Sequence, residues 1–188
     1  HGYVLCITDT KGSHENLTDD YVAIREEMKQ VANYFDCEVL SEVDEKEFYL
    51  SIPNLRNSCS DRAIMRAMHF FGETKRAYDE AVALKNNDIE LFLKLVNESG
   101  TSSGNLLQNL YSSSTPTEQA IPLALALSKT ILGNKGAVRV HGGGFAGTIQ
   151  AFVPAGMAKE YKDGIERVFG EGSCHQLKIR PVGGIEII

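Results

Sequence analysis

Missing from the 188-residue sequence is any apolar run approaching the ~18 residues that a membrane-crossing helix needs. No secretory leader precedes the strand-like segment Gly2-Tyr3-Val4-Leu5-Cys6-Ile7. Both absences favour a soluble, cytoplasmic protein with no membrane partner. The chain starts at His1 and passes at once into that segment, so it reads as a piece of something longer. Basic residues are in the minority, 19 Lys and Arg against 25 Asp and Glu, for a formal charge of -6. Nucleic acid wants a basic face, so it is not an expected partner. A small anionic ligand remains possible, because a few local donors suffice to bind one.

Cysteine pairs at close spacing are also missing. Cys6, Cys37, Cys59 and Cys174 stand far apart, which fits reduced thiols in the cytosol. His1, His14, His69, His141 and His175 show no metal-ligand spacing, and no metal site is expected. The Walker pattern G-x-x-x-x-G-K-[ST] is absent, and so is a G-x-S-x-G nucleophile elbow. There is no internal repeat and no low-complexity segment.

What is present suits one folded domain: 43% hydrophobic and 23% charged residues. Tyr3 to Thr8 reads as a strand. Thr18 is a candidate N-cap, with Asp19 and Asp20 in the first turn and Ile24, Met28, Val31 and Phe35 at helical spacing. Cys37 to Pro53 has no clear period. Asp61 opens a helix with Ile64, Met68, Phe71, Tyr78 and Val82 on one face. Asn86-Asn87-Asp88 breaks and recaps it, and Ile89, Phe92, Leu93 and Val96 mark the next helix, stopped near Gly100. Thr101 to Gly104 reads as a turn, and Leu106, Leu107 and Leu110 as a short helix. Pro116 suits the start of a helix running to about Ile131 and ended by Gly133 to Gly136. The period then changes. Ala137 to Val140 and Thr148 to Val153 are strands around a glycine loop. Pro154 starts a helix with Ala158, Tyr161, Ile165 and Val168 inward, closed by Gly170. Gln176 to Arg180 and Ile185 to Ile188 are further strands. This order suggests an α+β fold, an antiparallel sheet with helices on one side.

The strongest chemical signal is His141-Gly142-Gly143-Gly144-Phe145-Ala146-Gly147. Each glycine loses more backbone entropy on folding than any other residue, and a hairpin turn needs only one or two. Three in a row let backbone N–H groups approach an anion or a sugar. Tyr21 lies in the first turn of its helix on the edge of the apolar stripe. By periodicity it is a core-edge tyrosine with its hydroxyl near water.

Four stretches, in order, resemble the C-terminal part of galactokinases, within the GHMP family of small-molecule kinases. The first runs from Thr8-Asp9-Thr10 through His14, Leu17 and Tyr21 to Arg25-Glu26-Glu27. The second is Arg66-Ala67-Met68-His69-Phe70-Phe71-Gly72-Glu73, close to R-A-x-H-x-x-x-E. The third is Phe92 to Val96 with Asn97-Glu98-Ser99, similar to F-x-x-L-M-N-x-S. The fourth is Gly142-Gly143-Gly144-Phe145-Ala146-Gly147, close to G-G-G-F-G-G. Ala146 stands in place of a glycine, Val140-His141 in place of Met-Thr, and Gly100 where the family often has histidine; Ser112 to Glu118 follows the family's S-C-x-E-L-D only loosely.

The resemblance implies that residues 1–188 form a GHMP kinase C-terminal domain: a ferredoxin-like antiparallel sheet backed by helices, with an added helical layer. It implies that Tyr21 hydrogen-bonds the sugar. Gly142, Gly143, Gly144, Phe145 and Gly147 would then close on the sugar and the phosphates. The family's ATP loop and catalytic aspartate precede the strand at Tyr3, so no catalytic residue is expected in this chain. The chain alone is expected to bind no cofactor and to be inactive. The full-length protein would use ATP and Mg2+ to phosphorylate the anomeric hydroxyl of galactose or a related sugar, with the N-terminal domain of the same polypeptide as partner. A non-catalytic relative that senses sugar and ATP, or a GHMP kinase for another small molecule, are the alternatives.

Overall fold

The computed structural model describes residues 2–13 and 17–179. His14 of the first stretch and the strand expected at Ile185 to Ile188 lie outside them.

Four strands form one antiparallel sheet: β1 (Tyr3–Asp9), β2 (Ala137–Val140), β3 (Thr148–Pro154) and β4 (Cys174–Leu177). Their spatial order is β2-β3-β1-β4. Read from the other edge, this is the 4-1-3-2 order of the ferredoxin-like sheet, the expected fold class. The long crossover from β1 to β2 holds α1 (Thr18–Tyr34), α2 (Glu45–Leu55), α3 (Asp61–Lys85), α4 (Ile89–Ser102) and α5 (Ala120–Leu132). The second crossover holds α6 (Ala158–Phe169).

Alternation along the strands gives each sheet face its own core. Cys6, Val138, Val140, Ile149, Ala151 and Val153 point toward α5 and α6, where Ile121, Leu125, Tyr161 and Ile165 complete a buried cluster. Tyr161 is fully enclosed, and its hydroxyl lies 2.9 Å from Ser128 Oγ. On the opposite face Ala137 and Phe152 meet Phe92, Leu93 and Val96 of α4. The period alone suggested helices on one side; the added layer supplies the other. Beyond it α1, α2 and α3 enclose a separate cluster around Val31, Phe48, Leu55, Ile64 and Phe71.

Side-chain caps set several helix starts. Ser60 Oγ accepts from Ala63 N–H at the start of α3, and Asp88 Oδ1 accepts from Leu91 N–H at the start of α4. Asp44 does the same for α2, in the stretch whose period is unclear. Thr18 is not a cap. It is the first residue of α1, and the cap position is Leu17, whose apolar side chain packs on Phe145 and Ala146. Burial at that junction outweighs a capping hydrogen bond.

Two stripe residues face water instead. Tyr78 is 71% exposed, because past Phe71 helix α3 exchanges its α1/α2 neighbours for α4 and buries Ala83. Val168 is 51% exposed, and Phe169 takes the inward place at the end of α6. Three boundaries shift. Helix α5 starts at Ala120, after successive turns closed by Thr115 N–H to Ser112 O and Glu118 N–H to Thr115 O. Pro154 ends β3, and a 3-10 turn (Ala155–Met157) leads into α6. Strand β4 begins at Cys174 because Cys174 pairs with Thr8.

Gly100 does not end a helix. Helix α4 runs through it to Ser102 and continues as a π turn, Ser103–Leu107, where a polar turn was expected. The glycine is there for packing: a Cβ would stand 3.0 Å from Val138 O and 3.1 Å from Arg139 Cβ. Strand β2 leaves no space for the histidine that galactokinases often carry there. Gly100→Ala is therefore expected to destabilise the fold by about 1–3 kcal/mol through overpacking. Gly156→Ala, with nothing within 4 Å of the new methyl, should shift stability by less than about 0.5 kcal/mol. Urea denaturation midpoints of the two variants check this.

Candidate functional site

The loop from His141 to Gly147 joins β2 to β3. Its glycines answer separate constraints. Gly142 (φ 69°) and Gly144 (φ 83°) hold left-handed backbone. At Gly143 the limit is space, since a Cβ would sit 2.8 Å from Tyr21 Cε1. Ala146 has no positive φ, and its methyl packs against Gly12. Alanine fits there without strain. Phe145 is the exception, a bulky residue at φ 61°. Burial against Tyr21, Leu17 and Ile24 holds it in place.

Three groups fasten the loop. Thr10 N–H and Thr10 Oγ1 both donate to Gly147 O at 2.7 Å. Tyr21 Oη donates to Gly144 O at 2.8 Å, and its ring meets that of Phe145 edge-on, centroids 5.2 Å apart. Asn109 O accepts from Phe145 N–H at 2.5 Å, while Asn109 Nδ2 donates to Gly143 O at 3.1 Å. Burial and the nearby Asp20 carboxylate push the Tyr21 phenol above its usual pKa, so it stays a donor. Gly142 and Gly143 are exposed, and their N–H groups have no protein acceptor among the described residues. They remain able to meet an anionic or hydroxyl oxygen.

The sequence signals thus converge. Tyr21, Gly142, Gly143, Gly144, Phe145 and Gly147 lie together, with Tyr21, Gly142 and Gly143 exposed and Gly144, Phe145 and Gly147 buried. Phe145 borders two polar cavities, one of about 360 Å³ lined also by Asp20, Arg62 and Gln108, the other of about 330 Å³ lined also by Gly12 and Ser112. Asn109 was invisible in the sequence. It belongs to no motif, and its contacts reach across 34 residues.

No family model matches the chain. The galactokinase of Haemophilus influenzae (strain PittGG) is 30% identical over 148 residues, which cover 79% of this chain and 36% of that protein. The galactokinase of Actinobacillus pleuropneumoniae serotype 5b (strain L20) is 27% identical over 162 residues, 86% of this chain and 40% of that protein. The chain is a galactokinase relative. It spans about 36–40% of the length of these relatives. Its fold matches a crystal structure of Lactococcus lactis galactokinase complexed with galactose, with a TM-score of 0.69 at 20% identity, over 94% of this chain and 45% of that one.

In this galactokinase relative the R-A-x-H-x-x-x-E stretch on α3 splits between two tasks. Arg66, 2% exposed, ties the site together. Its Nε donates to Leu107 O at 3.1 Å and its Nη1 to Glu27 Oε2 at 2.9 Å. Glu27 also holds Arg62. His69 and Glu73 instead face β2 and α4. His69 Nδ1 lies 2.9 Å from Ser102 Oγ. Glu73 meets Arg76, Arg139 and Ser99. Among the described residues no group of three or more His, Cys, Asp or Glu side chains could hold a metal ion, and no helix is long and apolar enough to cross a membrane.

Burial, then the Arg139 and Arg76 charges, push His69 down from 6.5 to about 4. The unfolded chain therefore binds this proton at a pH where the folded one does not. The resulting stability is complete above about pH 6.5 and is lost as the pH falls toward 4, by on the order of 3 kcal/mol. Denaturation curves between pH 4 and 7 should lose this part of their slope in His69→Gln.

Proposed function

We propose that this chain is the C-terminal part of a galactokinase-type phosphotransferase and forms the wall of its active site that faces the sugar and the transferred phosphoryl group. One observation carries the reading. The Tyr21 hydroxyl and the glycine loop meet, at 2.8 Å, beside the exposed Gly142 and Gly143, whose N–H groups have no acceptor among the described residues. A phenol oxygen that already donates to Gly144 O still has lone pairs with which to accept from a sugar hydroxyl. The free N–H groups suit an anionic oxygen, so these residues fit a phosphate.

In the full-length protein the chain would act with the N-terminal domain of the same polypeptide, in the cytoplasm. Bound ATP, with Mg2+, would supply the γ-phosphoryl for the anomeric hydroxyl of galactose or a close relative. Phosphoryl transfer is mostly positioning and charge neutralisation. This chain's share is positioning: Tyr21 orients the sugar, and Gly142 and Gly143 offer N–H groups to phosphate oxygens. Mg2+ is assigned no ligand here. The galactose bound by the Lactococcus lactis protein supports the choice of sugar, and the relatives' names support a kinase.

Expressed alone, the chain should form no sugar 1-phosphate from galactose and ATP, whereas the full-length protein should. A full-length protein that binds both ligands without turnover would instead be a sensor. Tyr21→Phe in the full-length protein should raise KM for galactose several-fold, the ~1 kcal/mol of one hydrogen bond, with KM for ATP little changed. An unchanged sugar KM would confine Tyr21 to fastening the loop.

A further inference from the structure

We infer that Asn109 is the positioning residue that sets the glycine loop in its ligand-ready form. The inference rests on the reading of this loop as an active-site wall. Asn109 is 2% exposed and follows Gln108, whose backbone is left-handed at φ 58°. Arg66 fixes the carbonyl of Leu107 just before it. The segment that presents Asn109 is therefore anchored independently of the loop.

Two successive peptide planes of the loop depend on it. In a trans peptide the C=O and the following N–H point in opposite directions. Asn109 Nδ2 holds Gly143 O, so the Gly144 N–H of the same plane is turned away from Asn109. In the next plane Asn109 O receives the Phe145 N–H, and Tyr21 Oη binds the opposite edge at Gly144 O. That plane is gripped from both edges. The fit leaves no slack: a Cβ on Gly144 would collide with Asn109 O and lie 2.5 Å from its Nδ2. Without the Nδ2 donor, the Gly143-Gly144 plane is free to rotate, and the N–H and C=O exchange directions.

The side chain is also a poor choice for stability alone. Asn109 Oδ1 is buried and has no hydrogen-bond partner among the described residues. A buried unpaired acceptor costs more than one neutral hydrogen bond returns. A leucine would fill the same space without that cost. Asparagine is the residue a loop needs if a donor must meet Gly143 O, and such local conflicts with stability cluster at functional sites.

The test uses the full-length protein with Asn109→Leu and Asn109→Ala. The first removes donor and orphan acceptor together at similar size. The second removes them without adding bulk where the fit is tight. Both should unfold cooperatively well above the assay temperature while kcat falls about tenfold or more. Amide hydrogen exchange across residues 141–147 should become at least tenfold faster in both. Wild-type kcat and wild-type exchange in a folded variant would overturn the inference. So would a kcat loss matched by general unfolding in both variants. If the wild-type protein itself fails to phosphorylate galactose, the kinase reading fails. Exchange then still decides the role of Asn109: unchanged protection in the variants overturns it, and faster exchange confined to the loop upholds it.

Discussion

The pairing of β1 with β3 fixes everything that surrounds the loop. Seven residue pairs, from Tyr3 with Pro154 to Asp9 with Thr148, join segments about 140–150 residues apart in sequence. A slip of one residue would turn Cys6 and Thr8 out of the core and every partner with them. The same register carries on past the strand, where Thr10 grips Gly147 O with both its N–H and its hydroxyl. The far end of the glycine loop is therefore an extension of the sheet. Strand β1 lies between β3 and β4, so this anchor is in the middle of the sheet and not at a fraying edge.

The near side of the loop depends on a buried cation. Arg66 joins three elements: α3, which carries it, α1 through Glu27, and the π turn through Leu107. Tyr21 lies on α1, and Asn109 follows the π turn. The two residues that hold the Gly144-Phe145 peptide thus share one support. Burial lowers the pKa of Arg66, and the Glu27 carboxylate opposes that shift. A buried charge stays tolerable only while paired and hydrogen-bonded, so loss of either partner would loosen the helix and the turn together. An overall acidic chain can build such a site because only the local pairing matters.

Much of this could be read from the sequence where the signal is local. Asn86-Asn87-Asp88 ended one helix and capped the next as expected. The period change after Gly136 located the hairpin and its loop. The errors came where a distant partner decides. Gly100 has the chemistry of a helix stop, but strand β2 needs the empty space beside it. Thr18 has the chemistry of a cap, but Leu17 is drawn to Phe145. Tyr78 continues a helical stripe whose partner layer has ended. Asn109 had no signal at all. A single asparagine between two leucine-containing stretches gains meaning only when the loop, 34 residues later, folds back over it.

Geometry also changes the weight of the departures from the galactokinase pattern. The glycines of the loop are not equivalent. Gly142 and Gly144 need left-handed backbone, and Gly143 needs the space beneath the Tyr21 ring. All three are present. The glycine replaced by Ala146 falls at the one position of the run with neither demand, and the added methyl fills a contact with Gly12. Gly100 likewise answers to its own strand β2. His141 is exposed and bonds Gln150 across the hairpin. The methyl of Ala146 joins Leu17 and Phe145 in the packing that holds the loop, and its N–H donates to Gly144 O at 2.8 Å, so that replacement keeps the loop fastened.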